Sequence, residues 1–335
     1  MPEDERRKKR IDFIKQIEEI RQSRIITYIL GDRPNLGTNI DDFQVRILQR
    51  HLEGIGPTEK IDLFIYSRGG DIVTPYRIAT LIREFSKNFG ILVPYRAHSA
   101  ATLLCLGAGE IVMGSMGELT PVDPRTANPF NPQDPANPTQ RIPISVEDVT
   151  AYFTLAKEKA GIKGEENTVE VFKALTPLVH PLALGNVQRI HLCIRLLAKK
   201  LFNLHMDIEK DAYKIDEIIK TLTEERFAHA YPISRSEAKE IKLNVKKPDN
   251  NLEVAMWSLY KEYEALLKLR EPFDPTWTLA GQPHKQEIFW EACIESLEML
   301  DVLETNCEIN KINVPPQISA PDINVRIHKE WKTIK

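Results

Sequence analysis

The sequence lacks the short motifs that mark several common functions. It has no GxGxxG and no GxxxxGK[ST], so neither a dinucleotide fingerprint nor a phosphate-cradling loop is present. It has no HExxH. Its four cysteines, Cys105, Cys193, Cys293 and Cys307, form no CxxC pair, which argues against a zinc ribbon or a disulfide framework. No apolar run is long enough to cross a bilayer. The stretch Met1 to Phe13 is charged but has no apolar segment after it, unlike a secretory leader. A basic excess is also missing: 45 Lys plus Arg face 48 Asp plus Glu, for a net charge of −3. A dedicated nucleic-acid binder normally carries a surplus of cations to neutralise phosphates. No internal repeat and no heptad run occurs. These absences leave a cytoplasmic protein with no metal, no cofactor, no nucleic-acid partner and no transmembrane segment as the expectation.

What is present is enough for a sizeable core. The chain has 335 residues, 42% apolar and 28% charged, which suits one large domain or one domain with an appendage. Residues 2–22 read as a polar helix, with Arg6 to Arg10 as a solvated face. Arg24 to Leu30 and Ile61 to Tyr66 read as buried strands, with a helix over 41–52 between them. Thr74 and Pro75 suit the N-cap and first turn of a helix reaching Phe85. Ile91 to Tyr95 and Glu110 to Met113 are further strands, separated by a short apolar helix from Ser99. Strands alternating with helices predict parallel pairing, and strands apolar on both faces agree. Seven of the 22 prolines fall between Pro121 and Pro143, within an irregular stretch over 115–144. This stretch reads as an extended loop bordering a substrate groove or a subunit contact. Residues 145–270 are mostly helical in pattern. Ile288 to Leu303 fits strand or helix, and Val314 to Lys335 a tail or a clasp.

Two loops follow successive strands. Ser67-Arg68-Gly69-Gly70-Asp71 ends one; its glycines permit positive φ and unobstructed backbone N–H groups. Ala97-His98-Ser99-Ala100-Ala101-Thr102 ends the next and opens a helix, where N–H groups are unpaired. Sites in open α/β sheets form beyond the carboxyl ends of strands. Together the loops offer a nucleophile, Ser99, and oxyanion donors in the N–H groups of Gly70 and Ala100, with Gly69 as a further candidate. Each feature alone is ordinary, since paired glycines punctuate many chains and a serine opening a helix is usually a cap.

Tyr66 to Asp71, Ala97 to Thr102, and Glu110 to Gly114 running on to Pro121-Val122-Asp123-Pro124 resemble the serine dehydrogenase proteinase family of Clp-fold serine peptidases. Ser23 to Ile29, His180 to Gly185 and Arg235 to Ile241 extend the resemblance. It is firm to about Leu243 and looser beyond. The resemblance implies an α/β ClpP/crotonase-like fold of stacked ββα units, peptide hydrolysis by Ser99, and a homo-oligomer. On that reading, 1–22 is an N-terminal helix, 23–245 the catalytic core, and 246–335 a C-terminal extension.

The general base is the open question. The Clp proteolytic subunit carries a histidine where this chain has Leu119 to Asp123, so Asp123 is implied only as an orienting group. Ala230 to Ala238 resembles the segment that follows the Clp triad's aspartate, which implies that His229, just before it, lies at the site and acts with Ser99 and Asp123. Signal peptide peptidase A uses a lysine, which makes Lys157 and Lys159 alternatives, although a solvated face suits both. His98 is expected to be structural and His180 to cap the helix after it. Lys242 stands where the family pattern has a glycine, which suggests a differently shaped helix end. The leading reading is a serine peptidase acting on peptides or unfolded protein, with any unfoldase or regulator supplied by another chain. A catalytically reduced scaffold and a crotonase-like thioester enzyme are the alternatives.

Overall fold

The computed structural model describes residues 3–122, 128–224, 230–312 and 323–334. The chain forms two compact units, one of residues 1–119 with 233–335 and the other of residues 120–232.

The first unit begins with α1 (Glu3–Arg21), β1 (Arg24–Leu30), α2 (Phe43–Ile55), β2 (Lys60–Tyr66), α3 (Thr74–Phe85) and β3 (Asn88–Val93). The short β4 (Arg96–Ala97), α4 (Ala100–Cys105), β5 (Glu110–Met113) and β6 (Glu118–Leu119) follow. The second unit contains α5 (Val146–Thr154), one π-helical turn (Leu155–Lys159), α6 (Glu165–Leu175), α7 (Pro181–Asn203) and α8 (Ala212–Thr223). The chain then returns to the first unit with β7 (Ile233–Ser234), α9 (Arg235–Glu240), β8 (Val245–Lys246), α10 (Asn250–Leu266) and α11 (Pro275–Leu279). It ends in β9 (His284–Glu295), β10 (Leu300–Lys311) and β11 (Ile323–Ile334).

Eight strands form one sheet in the order β11-β10-β9-β1-β2-β3-β5-β8. The strands from β1 to β8 pair in parallel, as the helix-separated apolar strands predict. A second sheet, β4-β6-β7, forms beyond the carboxyl ends of β2 and β3.

The C-terminal region departs from the sequence expectation. Ile288 to Leu303 spans parts of two strands and the turn between them, and residues 323–334 are the edge strand β11 rather than a tail. Because β9 runs antiparallel to β1, with Tyr28 opposite Ile294, β9, β10 and β11 extend the main sheet. Leu259, Tyr260 and Tyr263 of α10 lie in one buried cluster with Ile14, Ile17 and Ile25. The long separation in sequence hid this pairing, since periodicity reports only local pattern.

The expected solvated face over Arg6 to Arg10 does not extend to Arg10. Arg10 shares a face of α1 with Ile14 and Ile17 and is fully buried. Its Nε donates to Glu295 Oε2 at 2.7 Å, and Glu295 also accepts from the Tyr263 hydroxyl at 2.7 Å. A cation on an apolar stripe signals a buried partner when the charge is matched. The start of α3 likewise differs: its cap position is Val73, and the Asp71 carboxylate accepts from the N–H groups of Val73 and Thr74.

In the second unit α5 opens with a capping box between Ser145 and Asp148. α7 buries Ile194, Leu197 and Leu201, and α8 buries Ile215, Ile219 and Leu222. His180 caps α7 as expected, its Nδ1 accepting from the Leu182 N–H at 3.1 Å. Within the proline-rich segment, residues 128–143 are folded back rather than extended. Gln133 and Arg141 form an antiparallel bridge, and the buried Asn131 donates to the Ile142 carbonyl.

Candidate active site

The site is built where β2 and β3 end. Ser67 at the end of β2 pairs in parallel with Ala97, through Ser67 N–H to Arg96 O (3.0 Å) and His98 N–H to Ser67 O (3.0 Å). This pairing brings the diglycine loop beside the turn into α4.

Ser99 occupies the N-cap position of α4, yet it does not cap. Its side chain makes no capping hydrogen bond, and its backbone sits at φ 52°, ψ −113°. A non-glycine residue there is strained by about 1–3 kcal/mol, and such strain clusters at functional sites. A sharp strand-to-helix turn also exposes the reactive serine of α/β-hydrolases. Ser99 is half-buried, while the rest of α4 behind it is fully buried.

Gly69 and Gly70 are required by this arrangement. Gly69 has φ +105°, and a β-carbon on it would meet Ser99 Cβ at 2.9 Å and the Ala100 nitrogen at 3.0 Å. Gly70 has φ +149°, and its β-carbon would lie 2.4 Å from the Ile40 carbonyl oxygen. Ile40 bridges the loop by donating to Gly69 O and accepting from Asp71 N–H. In a parallel bridge these bonds leave the Gly70 N–H directed away from Ile40. Among the described residues neither the Gly70 nor the Ala100 N–H has an acceptor. The Gly69 N–H, by contrast, is spent on Ser67 Oγ at 3.0 Å. Gly69 is therefore corrected from a candidate donor to the residue whose missing side chain admits Ser99.

The basic groups separate in a way the sequence could not. His98 Nε2 is 3.0 Å from Glu118 Oε1. A carboxylate only accepts, so the proton sits on Nε2. Burial, with Arg68 and Arg96 adding to it, pushes His98 down to about 4 against the opposing pull of Glu118. At neutral pH it is an uncharged spacer and a weak base, as its expected structural role requires. Lys157 and Lys159 are exposed on the π-helical turn of the second unit, in keeping with a solvated face. Asp123 and His229 lie outside the described residues.

Beside His98 lies a charged network that sequence reasoning missed. Asp32, just after β1, accepts from the Tyr66 hydroxyl (2.6 Å), Arg68 Nε (2.6 Å) and Arg96 Nη1 (2.9 Å). Burial alone would raise Asp32, but these donors hold it below the ordinary carboxylate value. Arg96 also reaches Glu118 Oε1 at 3.2 Å and the Tyr95 hydroxyl at 2.7 Å. The available signal was positional: Asp32, Arg68 and Arg96 all follow strand ends.

A second Ser-His-Asp arrangement occurs elsewhere in the same unit. Ser296 Oγ is 2.9 Å from His51 Nδ1, and His51 Nε2 is 3.1 Å from Asp301 Oδ2. All three residues are fully buried, so no substrate reaches them. They tie α2 to the β9–β10 turn and to β10.

Lys242 adopts φ 68°, and Leu243 N–H bonds back to Ala238 O at 3.1 Å. This is the left-handed termination normally made by glycine, here made by a lysine.

Residues 1–175 match the family of ClpP-like SDH-type serine proteinases. Two uncharacterized proteins of Methanocaldococcus jannaschii are similar. MJ0137 is 29% identical over 218 residues, covering 64% of this chain and 62% of its own length. MJ1495 is 27% identical over 246 residues, covering 71% of each. The family match spans just over half of the chain, including the strained Ser99 turn and the diglycine loop. The chain belongs to the ClpP-like SDH-type serine proteinase family.

Proposed function

We propose that the protein is a serine peptidase with Ser99 as its nucleophile. The observation that carries this is the strained, non-capping Ser99 held against Gly69 at the end of a strand. Ser99 Oγ attacks the scissile carbonyl carbon and loses its proton to a general base. The tetrahedral oxyanion is held by the N–H groups of Gly70 and Ala100. The amine leaves carrying the proton, and water then hydrolyses the acyl-enzyme and regenerates the serine. The base proposed from the resemblance is His229, oriented by Asp123. The small β4-β6-β7 sheet beside the main one supports the stacked ββα arrangement of ClpP/crotonase-like folds.

Substrates are proposed to be peptides or unfolded protein, reaching a homo-oligomer in the cytoplasm, with any unfolding power supplied by a separate partner. Exposed Phe172, Leu192 and Leu196 on α6 and α7 support burial of the second unit in subunit contacts. No described helix is long and apolar enough to cross a membrane.

The test is labelling with a serine-directed fluorophosphonate. Labelling of the wild type that disappears in Ser99→Ala supports the peptidase. No labelling in any oligomeric state favours a scaffold that has lost its chemistry.

A further inference from the structure

A cavity of about 340 Å³ is bounded by the ends of β1 and β2, by Tyr95 and Arg96, and by the α10 end. Its volume falls in the roughly 300–1,000 Å³ range of ligand sites. Three guanidinium groups, Arg68, Arg96 and Arg270, face two carboxylates, Asp32 and Glu264.

The state of each group decides what the cavity can hold. Each nitrogen of Arg96 has a protein partner: Glu118 for Nε, Asp32 for Nη1 and the Tyr95 hydroxyl for Nη2. Asp32 is consumed by Tyr66, Arg68 and Arg96. Arg68 differs. Its Nε is bound to Asp32, but neither Nη has an acceptor among the described residues, and the side chain is 48% exposed. Arg270 is exposed and makes no ion pair or hydrogen bond to any described residue. The Tyr95 hydroxyl accepts from Arg96, which leaves its own proton to donate. Two open guanidinium forks and a hydroxyl donor thus line one polar cavity. Planar forks of this kind match a carboxylate in two parallel bonds. Glu264, accepting from Tyr260 at 3.2 Å, puts a negative charge in the same wall, which disfavours a doubly charged phosphate.

We propose that this cavity is a substrate subsite in which Arg68 and Arg270 bind the carboxylate of a peptide. The carboxylate comes from an acidic side chain or from a free C-terminus. The inference rests on the peptidase reading for its substrate class. Arg68 directly precedes Gly69, which abuts Ser99, and this link is what ties the proposed subsite to the Ser99 loop.

The experiment measures binding without turnover. Ser99→Ala protein is titrated into fluorescein-labelled peptides of equal length, read by fluorescence anisotropy. One peptide has an internal glutamate and an amidated end, one has a free C-terminal carboxylate and no glutamate, and one has neither. At least tenfold tighter binding of one carboxylate-bearing peptide is expected, and which one binds identifies the source. In Arg270→Met the ratio should fall to about one, whereas Arg270→Lys should keep part of it. Equal binding of all three peptides, or a ratio unaltered in both Arg270→Met and Arg68→Met, overturns the subsite. Fluorophosphonate labelling of the wild type is read in parallel. Labelling without carboxylate preference removes the subsite alone. Carboxylate preference without labelling upholds the binding site and removes the peptidase reading.

Discussion

Gly69 abuts Ser99: a β-carbon on Gly69 would lie 2.9 Å from Ser99 Cβ and 2.8 Å from the His98 carbonyl oxygen. Neither neighbour is the free end of a flexible side chain, and the backbone at Gly69 is at φ +105°. Gly69→Ala therefore combines overpacking with backbone strain. It is expected to cost about 3 kcal/mol or more and to abolish fluorophosphonate labelling. Urea denaturation and the labelling assay check both parts. An alanine variant that keeps wild-type stability and reactivity would mean that the loop has another resting place.

Strain at Ser99 gives a separable prediction. Ser99→Ala and Ser99→Gly both remove the hydroxyl and its bonds, but only glycine relaxes the φ 52°, ψ −113° backbone. The glycine variant should be more stable than the alanine variant by about 1–3 kcal/mol, with neither labelled. Thermal and chemical denaturation of the two proteins side by side measures the difference. A difference near zero would remove the argument that the turn stores strain.

Arg10 and Glu295 form a fully buried pair, joined by the Tyr263 hydroxyl. Arg10→Met strands a buried carboxylate and should cost about 3 kcal/mol. That is the low end for a broken buried pair, because Arg7 Nε remains 3.7 Å from Glu295. The double variant Arg10→Met with Glu295→Met should recover most of the loss, as read from a double-mutant cycle. A double variant as unstable as Arg10→Met would show that the network contributes more than charge matching.

His98 links stability to pH. Its folded value, about 4, lies below the ordinary histidine value of 6.5, chiefly through burial. The unfolded chain therefore binds the proton more readily between those limits. The contribution is complete above about pH 6.5 and is lost as pH falls toward 4, with a slope of at most about 1.4 kcal/mol per pH unit. His98→Gln should flatten this part of the stability curve relative to the wild type. Parallel curves would assign the slope to other groups.

Lys242 holds a left-handed backbone at φ 68° at the end of α9. Lys242→Gly should stabilise the protein by about 1 kcal/mol, since glycine carries no β-carbon penalty there. The midpoint of chemical denaturation reports it. A destabilised variant would show that contacts of the lysine side chain outweigh the backbone strain.

The parallel strands β1, β2, β3 and β5, the helices between them, and the two loops carrying Ser99 and Gly70 were legible in the sequence. Each rests on local pattern: apolar runs, helical spacing, and glycines at strand ends. Other features came only from tertiary structure, because they join residues far apart in the chain. Antiparallel pairing of β9 with β1 made β9, β10 and β11 part of the main sheet, and burial turned Arg10 from a surface charge into a core ion pair. The Ser67 hydroxyl took the Gly69 N–H and so changed that glycine's role. The carboxylate of Asp32 drew Arg68 and Arg96 together from three separate strand ends. Local sequence set which backbone segments could form and where a nucleophile could stand. The choice among partners for each charge and each N–H was made by packing, because only the folded chain brings a donor and an acceptor to the same place.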